Sequence, residues 1–215
     1  MTLFRLDASI NPDGSASRAI GDIVENEWVA VHPGERVIRR DVGTDPFQST
    51  AWTKALRATW TPEGKRSRAQ HLAIELVSDL AAELREADAV LLTVPLYNWG
   101  VPAHVKTWID LVIAGAKSAD EALLAGKPAV LVVVRGGAYG PGTPREGWDH
   151  STAYLRRILA DVWGADLTVV EREFTLVGVN PALDDFKDLA AQFKDAAHAA
   201  AAVAGKSLAS GAGLR

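Results

Sequence analysis

Two prolines, Pro95 and Pro102, bracket the residues of this 215-residue chain best equipped for chemistry: Leu96, Tyr97, Asn98 and Trp99. An apolar run at 89–94 stops at the first proline, and an amphipathic stretch opens at the second. Pro95 biases Val94 toward extended backbone, while Pro102 suits the start of a helix. Between them, backbone amides, a carboxamide and two flat rings become available together, which suits a flat ligand with polar edges. Taken alone, Tyr97 and Trp99 read equally well as core or rim aromatics beside a loop.

Two further loops carry comparable chemistry. Residues 8–17 are rich in turn formers and present Ser9, Ser15, Ala16 and Ser17 just before a helical pattern. Free amides at a helix start, its dipole and two or three hydroxyls can hold a dianion without lysine. Neither a Gly-Lys-Ser/Thr ending nor a G-x-G-x-x-G turn is present, so this is no nucleotide P-loop or dinucleotide fingerprint. A capping serine in an ordinary strand-to-helix connection explains the same residues. After a β-branched run at 129–134, the loop 135–142 opens with Arg135, Gly136 and Gly137 and continues to Tyr139. Its glycines allow close backbone approach to a ring, or simply a tight turn. Together, the three loops narrow the flat ligand to a flavin mononucleotide.

The elements that must position these loops follow from periodicity. Short apolar stretches at 3–6, 36–42, 89–94, 129–134 and 167–170 read as strands. The second is flanked by charge and is expected near a sheet edge, and the fifth extends or bulges through 174–177. Helical spacing recurs at 20–31, 69–84, 101–113, 148–162 and 182–204, with Ser15 or Ser17 capping the first helix. Strand and helix alternate five times, which predicts an α/β fold: a five-stranded parallel sheet with helices on both faces. The three loops then share the carboxyl edge of the sheet, where ligands bind in such folds. Residues 1–204 are expected to form a single domain, with 205–215 a flexible tail.

Composition excludes several classes. The net charge is −4 and no basic block occurs, which argues against nucleic-acid binding. The absence of cysteine removes disulfides, thiolate catalysis and thiolate metal sites. His32, His71, His104, His150 and His198 are scattered, with no paired spacing, so no metal site is expected. His104 is expected on a helix surface, and Trp52 and Trp60 are expected to pack. No G-x-S-x-G elbow suggests a hydrolase. Neither a leader segment nor an apolar run of membrane length is present, so a cytoplasmic protein with no membrane partner is expected.

Ser9, Ser15-Ala16-Ser17, Pro95-Leu96-Tyr97-Asn98-Trp99 and Val134-Arg135-Gly136-Gly137, taken in order, resemble the FMN-binding segments of the FMN-dependent NADH:quinone reductase and azoreductase family. The helix sequence from Pro102 to Val112 and Gly126-Lys127-Pro128 are similar to that family as well. The resemblance implies a flavodoxin-like fold and a homodimer with both active sites at its interface. It also implies two-electron reduction of quinones or azo compounds by NADH or NADPH. On this resemblance Ser9, Ser15, Ala16 and Ser17 would hold the FMN phosphate. Residues 95–99 would contact the pyrimidine side and the N5 region, with Asn98 supplying polar contacts there. Val134, Arg135, Gly136 and Gly137 would line the other edge, and Tyr139 is a candidate proton donor. Two features depart from the family pattern: residues 116–122 are short and lack an aromatic, and Tyr139 stands where relatives often carry histidine. A flavodoxin-type electron carrier, or a flavin reductase supplying an oxygenase, shares most of this pattern. The weak net charge argues against the carrier, which would present a strongly acidic docking face.

Overall fold

The computed structural model describes residues 1–211. Five parallel strands form one sheet: β1 (Thr2–Asp7), β2 (Arg36–Asp41), β3 (Ala89–Pro95), β4 (Pro128–Val134) and β5 (Asp166–Arg172). Their order, β2-β1-β3-β4-β5, reverses direction between β1 and β3 and leaves β2 at an edge, as its flanking charges predict. β3 and β4 are buried throughout, which is why both read as unbroken apolar runs.

Alternate residues of each strand serve opposite faces. Phe4, Leu6, Leu92 and Val94 pack beneath α2 (Ala51–Thr59), α3 (Arg68–Glu86), α4 (Ala103–Gly115) and α5 (Thr152–Arg156). On that face Phe4 stacks on Trp108 at 5.9 Å, and Trp108 meets Trp163 edge-on at 5.7 Å. Leu3, Leu91, Val130 and Val132 pack beneath α1 (Ala16–Val31) and α6 (Lys187–Ser210).

Several expectations need correction. The fifth strand stops at Arg172, because Phe174 adopts a left-handed backbone (φ 57) and turns into contact with Phe186 and Phe193. Pro181–Phe186 is a 3₁₀ turn, and only then does α6 begin. The chain beyond Gly205 is not loose up to Ser210. α6 continues there with Leu208 and Ala209 buried. Gly205 itself lies so close to α1 that a Cβ would sit 2.7 Å from the Val24 carbonyl oxygen. The rest of the expected tail, 212–215, lies outside the described residues. Trp60 does not pack inside the protomer, being 75% exposed, and Trp52 packs only in part, with 41% exposed. Trp148 falls before α5 rather than on its buried stripe. Among the described residues, no helix is long and apolar enough to cross a membrane.

Candidate functional site

At the carboxyl end of β1, the Ala8 amide donates to the Thr93 carbonyl (3.0 Å) and carries the ladder one step past the strand. The buried Ser9 hydroxyl is engaged with Asn11, donating to its carbonyl at 3.2 Å and accepting from its amide at 3.3 Å. Ser9 therefore shapes the loop. Ser15 caps α1, its Oγ accepting from the Arg18 amide at 3.4 Å and lying 3.2 Å from the Ser17 Oγ. The amides of Ser15, Ala16 and Ser17 find no acceptor among the described residues. No acidic side chain occupies the first turn. The free amides and the Ser15 hydroxyl at the positive end of a 16-residue helix suit an anion, while Ser17 is itself fully buried with its hydroxyl against that of Ser15.

The loop is held from three sides. Arg18 Nη2 donates to the Ser9 carbonyl and to Asp41 Oδ1, both at 2.8 Å. His104 donates from Nε2 to the Ala8 carbonyl at 2.8 Å, so it is half-buried and structural rather than a free surface residue. Beneath the loop, a Cβ on Gly43 would lie 2.1 Å from the Ser9 carbonyl oxygen, so no other residue fits there.

After β3, the Leu96 amide donates to the Val134 carbonyl (2.8 Å) and the chain reverses between Tyr97 and Gly100. Asn98 and Trp99 take φ values of 49° and 62°, the two left-handed central positions of a type I′ turn. Asparagine tolerates this conformation, but tryptophan does so at a cost. The turn leaves the amides of Asn98 and Trp99 and the Asn98 carboxamide without a protein partner among the described residues. Tyr97 links the first two loops, its hydroxyl accepting from the Ile10 amide at 3.2 Å.

After β4, Arg135 is fully engaged. Its amide donates to Arg172, its carbonyl accepts from Thr175, and its buried guanidinium meets Asp149 (2.7 Å), Glu171 (3.1 Å) and Glu173 (3.7 Å). Burial opposes the charge on Arg135, but Glu171 and Asp149 outweigh it and hold the guanidinium above its ordinary pKa. Burial likewise opposes the Asp149 charge. Thr152, Arg135 and Ser151 outweigh that burial and lower the carboxyl below its usual range. The amides of Gly136 and Gly137 find no acceptor among the described residues. Gly136 lies against Leu176, where a Cβ would meet Cδ1 at 2.6 Å and would displace that half-exposed side chain. The Tyr139 hydroxyl accepts from Arg145 Nη1 at 3.4 Å, and its amide donates to Glu173 at 2.9 Å.

The three expected loops thus stand together at one sheet edge and offer unpaired amides from each. A cavity of about 630 Å³ between Ile10, Tyr97, Asn98 and His104 adjoins one of about 370 Å³ between Asn98, Trp99, Trp148 and His150. A larger one, about 870 Å³, is lined from residues 135–145 and 171–193. It touches neither residues 15–17 nor the aromatic turn, so the candidate site is the carboxyl edge where β1, β3 and β4 end side by side, with the two smaller cavities beside the aromatic turn. Sequence reasoning missed Asp41, Gly43 and Asp149. Asp149 carries a signal, because an aspartate three residues ahead of Thr152 is a helix-capping pattern. Asp41 and Gly43 act through contacts across the sheet edge and carry none.

A family described as having a flavodoxin-like fold matches residues 1–201. An FMN-dependent NADH:quinone oxidoreductase of Frankia casuarinae is 38% identical over 203 residues, covering 93% of this chain and 96% of that protein. Its namesake in Streptomyces avermitilis is 35% identical over 211 residues, 97% of each. Among solved structures, an azoreductase from Bacillus anthracis superimposes with a TM-score of 0.75 at 19% identity, over 96% of this chain and 99% of that one. An FMN-dependent NADH-azoreductase from the same species, solved with FMN, gives 0.71 at 16% identity, over 94% and 98%. Fold and sequence agree, and the chain belongs to the flavodoxin-like family that includes the FMN-dependent NADH:quinone oxidoreductases.

Proposed function

We propose that this oxidoreductase passes two electrons from NADH or NADPH to quinones or azo compounds in a ping-pong cycle, with FMN as its resident cofactor. The observation that carries the reading is the set of unpaired amides from residues 15–17, 98–99 and 136–137, gathered at one edge of the sheet. That donor set fits FMN: the helix start suits a phosphate dianion, and the two other loops suit the polar rim of a flat ring. The chemistry FMN supplies when bound is hydride transfer at N5, taken from the nicotinamide and passed to the acceptor after the nicotinamide has left.

The protein's part is binding and orientation. Ser15, Ala16 and Ser17 hold the phosphate through amides and hydroxyls, and Ser9 fixes the loop that presents them. Pro95 ends β3 so that Leu96, Tyr97, Asn98 and Trp99 meet the pyrimidine side and the N5 region. Gly136 and Gly137 line the opposite edge, placed there by Val134 and by the internally committed Arg135. Tyr139 is the candidate proton donor toward the acceptor. Tyr139→Phe tests it, and quinone turnover within about twofold of the parent would remove the role. The chain acts as a homodimer on this reading, with the exposed indoles of Trp52 and Trp60 available to its interface.

The test is direct. The purified protein is expected to be yellow or to take up FMN, and to consume NADH with a quinone and with an azo dye. A colourless protein that binds no FMN overturns the reading. A yellow protein inert toward both nicotinamides would instead be an electron carrier. Light scattering tests the dimer.

A further inference from the structure

Trp148 lies outside every segment assigned to the cofactor, yet it is placed at the mouth of the same cleft. It is 49% exposed beside Trp99, which is 46% exposed. Their ring centroids are 6.0 Å apart with planes at 75°, so one indole's edge meets the other's face and the pair forms an L-shaped recess. Large apolar rings kept half in water in this way mark an interaction site. The recess opens on the cavity of about 370 Å³, within the roughly 300–1,000 Å³ range of small-molecule sites.

The pair is held in place before any ligand arrives. The His150 amide donates to the Trp99 carbonyl at 3.0 Å, joining the two loops. Between Trp148 and His150, Asp149 is fixed by Arg135 at 2.7 Å and accepts from the amides of Ser151 and Thr152. Trp99 keeps a left-handed backbone unfavourable for a bulky residue, and such strain concentrates at ligand clamps. Meanwhile the segment after α4 contains no aromatic and is tied down to α3, Glu121 bonding Arg85 through both oxygens at 2.8 Å. Within the protomer, aromatic cover beside Trp99 therefore comes from the loop before α5 rather than from the segment after α4.

We propose that Trp148, with Trp99, forms the acceptor subsite, a recess that stacks one ring of a fused or extended aromatic acceptor and so favours two-ring quinones and aryl-azo compounds over single-ring quinones. This rests on the reading of the cleft as that of an FMN-dependent reductase. Aromatic pairs prefer offset-stacked or edge-to-face contact, and two indoles at 75° can offer one of each to the same ring.

The experiment uses FMN-loaded protein without NADH and measures binding of anthraquinone-2-sulfonate by equilibrium dialysis. Trp148→Ala is expected to weaken binding about tenfold, Trp148→Leu by a similar factor, and Trp148→Phe by less than about twofold. FMN affinity should stay unchanged in all three. In turnover, Trp148→Ala should raise KM for a naphthoquinone while leaving KM for p-benzoquinone within about twofold. Parent-like binding of the probe by either the alanine or the leucine variant would overturn the proposal, and so would loss of FMN from Trp148→Ala. Failure of the parent to take up FMN would overturn the functional reading itself, a result separate from these.

Discussion

Arg18 reaches over the end of β1 to Asp41 on the edge strand β2, and the nitrogen that meets Asp41 also lies 2.8 Å from the Ser9 carbonyl. One guanidinium thereby fixes the loop that leads to the proposed phosphate site. Asp41→Asn removes the charge that anchors Arg18 and is expected to weaken FMN binding about tenfold, read by flavin fluorescence on titrating the cofactor-free protein. Burial opposes ionisation of Asp41, but Arg18 and Thr44 outweigh it and lower the carboxyl's pKa. A lowered folded value means the contribution is complete above about pH 4 and fades as pH falls through that value. Parent and variant should therefore differ at pH 7 and converge in strong acid.

Ser17 is fully buried at the start of α1, with its hydroxyl against that of Ser15. Ser17→Ala is expected to weaken FMN about tenfold while leaving riboflavin, which lacks the phosphate, unaffected. Parallel titrations with both flavins check this, and equal losses would place Ser17 away from the phosphate.

Arg135 is the hub of a buried cluster of acids. Arg135→Met leaves Asp149 and Glu173 without their cation in a buried setting and should cost about 3–5 kcal/mol in urea unfolding. Glu171 is half exposed, and Glu171→Gln should cost about 1 kcal/mol or less.

Glu121 tests the short segment after α4. The Arg85 bridge, helped by the Lys117 amide, holds its carboxyl down to about 2. Its stabilising effect is present above about pH 4 and is lost as pH falls through about 2. Glu121→Gln should lower stability by about 1 kcal/mol or less at pH 7, and the gap should close between about pH 4 and 2. Thermal unfolding across that range is the measurement.

The buried strands were readable because parallel strands covered on both faces leave unbroken apolar runs, as at Leu91–Leu92 and Val130–Val134. Their loops were readable because proline, glycine and serine punctuate them. The spacing of Trp148 from Thr152 and Leu155 imitates a helical stripe, whereas the helix begins only at Thr152, after Asp149 has accepted from the Ser151 and Thr152 amides. The end of α6 is disguised in the sequence for a related reason. Gly205 looks like a helix stop, but its missing side chain is what lets α6 press against Val24 and Glu27 of α1. The clamp of Arg18, Asp41 and Gly43 joins parts of the chain distant in sequence, and no local pattern announces it.

The reversal of strand order between β1 and β3 also has a thermodynamic side. Donors at Ser17, Asn98 and Gly137 come together only when β1, β3 and β4 are in register, so no fragment of the fold can assemble the cleft locally. Cofactor uptake is then linked to the folding equilibrium of the whole chain. At a free FMN concentration a hundred times its Kd, that linkage adds about 2.7 kcal/mol to the stability of the native state. The yellow colour of the bound flavin becomes an assay of complete folding, and a cell short of flavin would hold this protein in its least stable form.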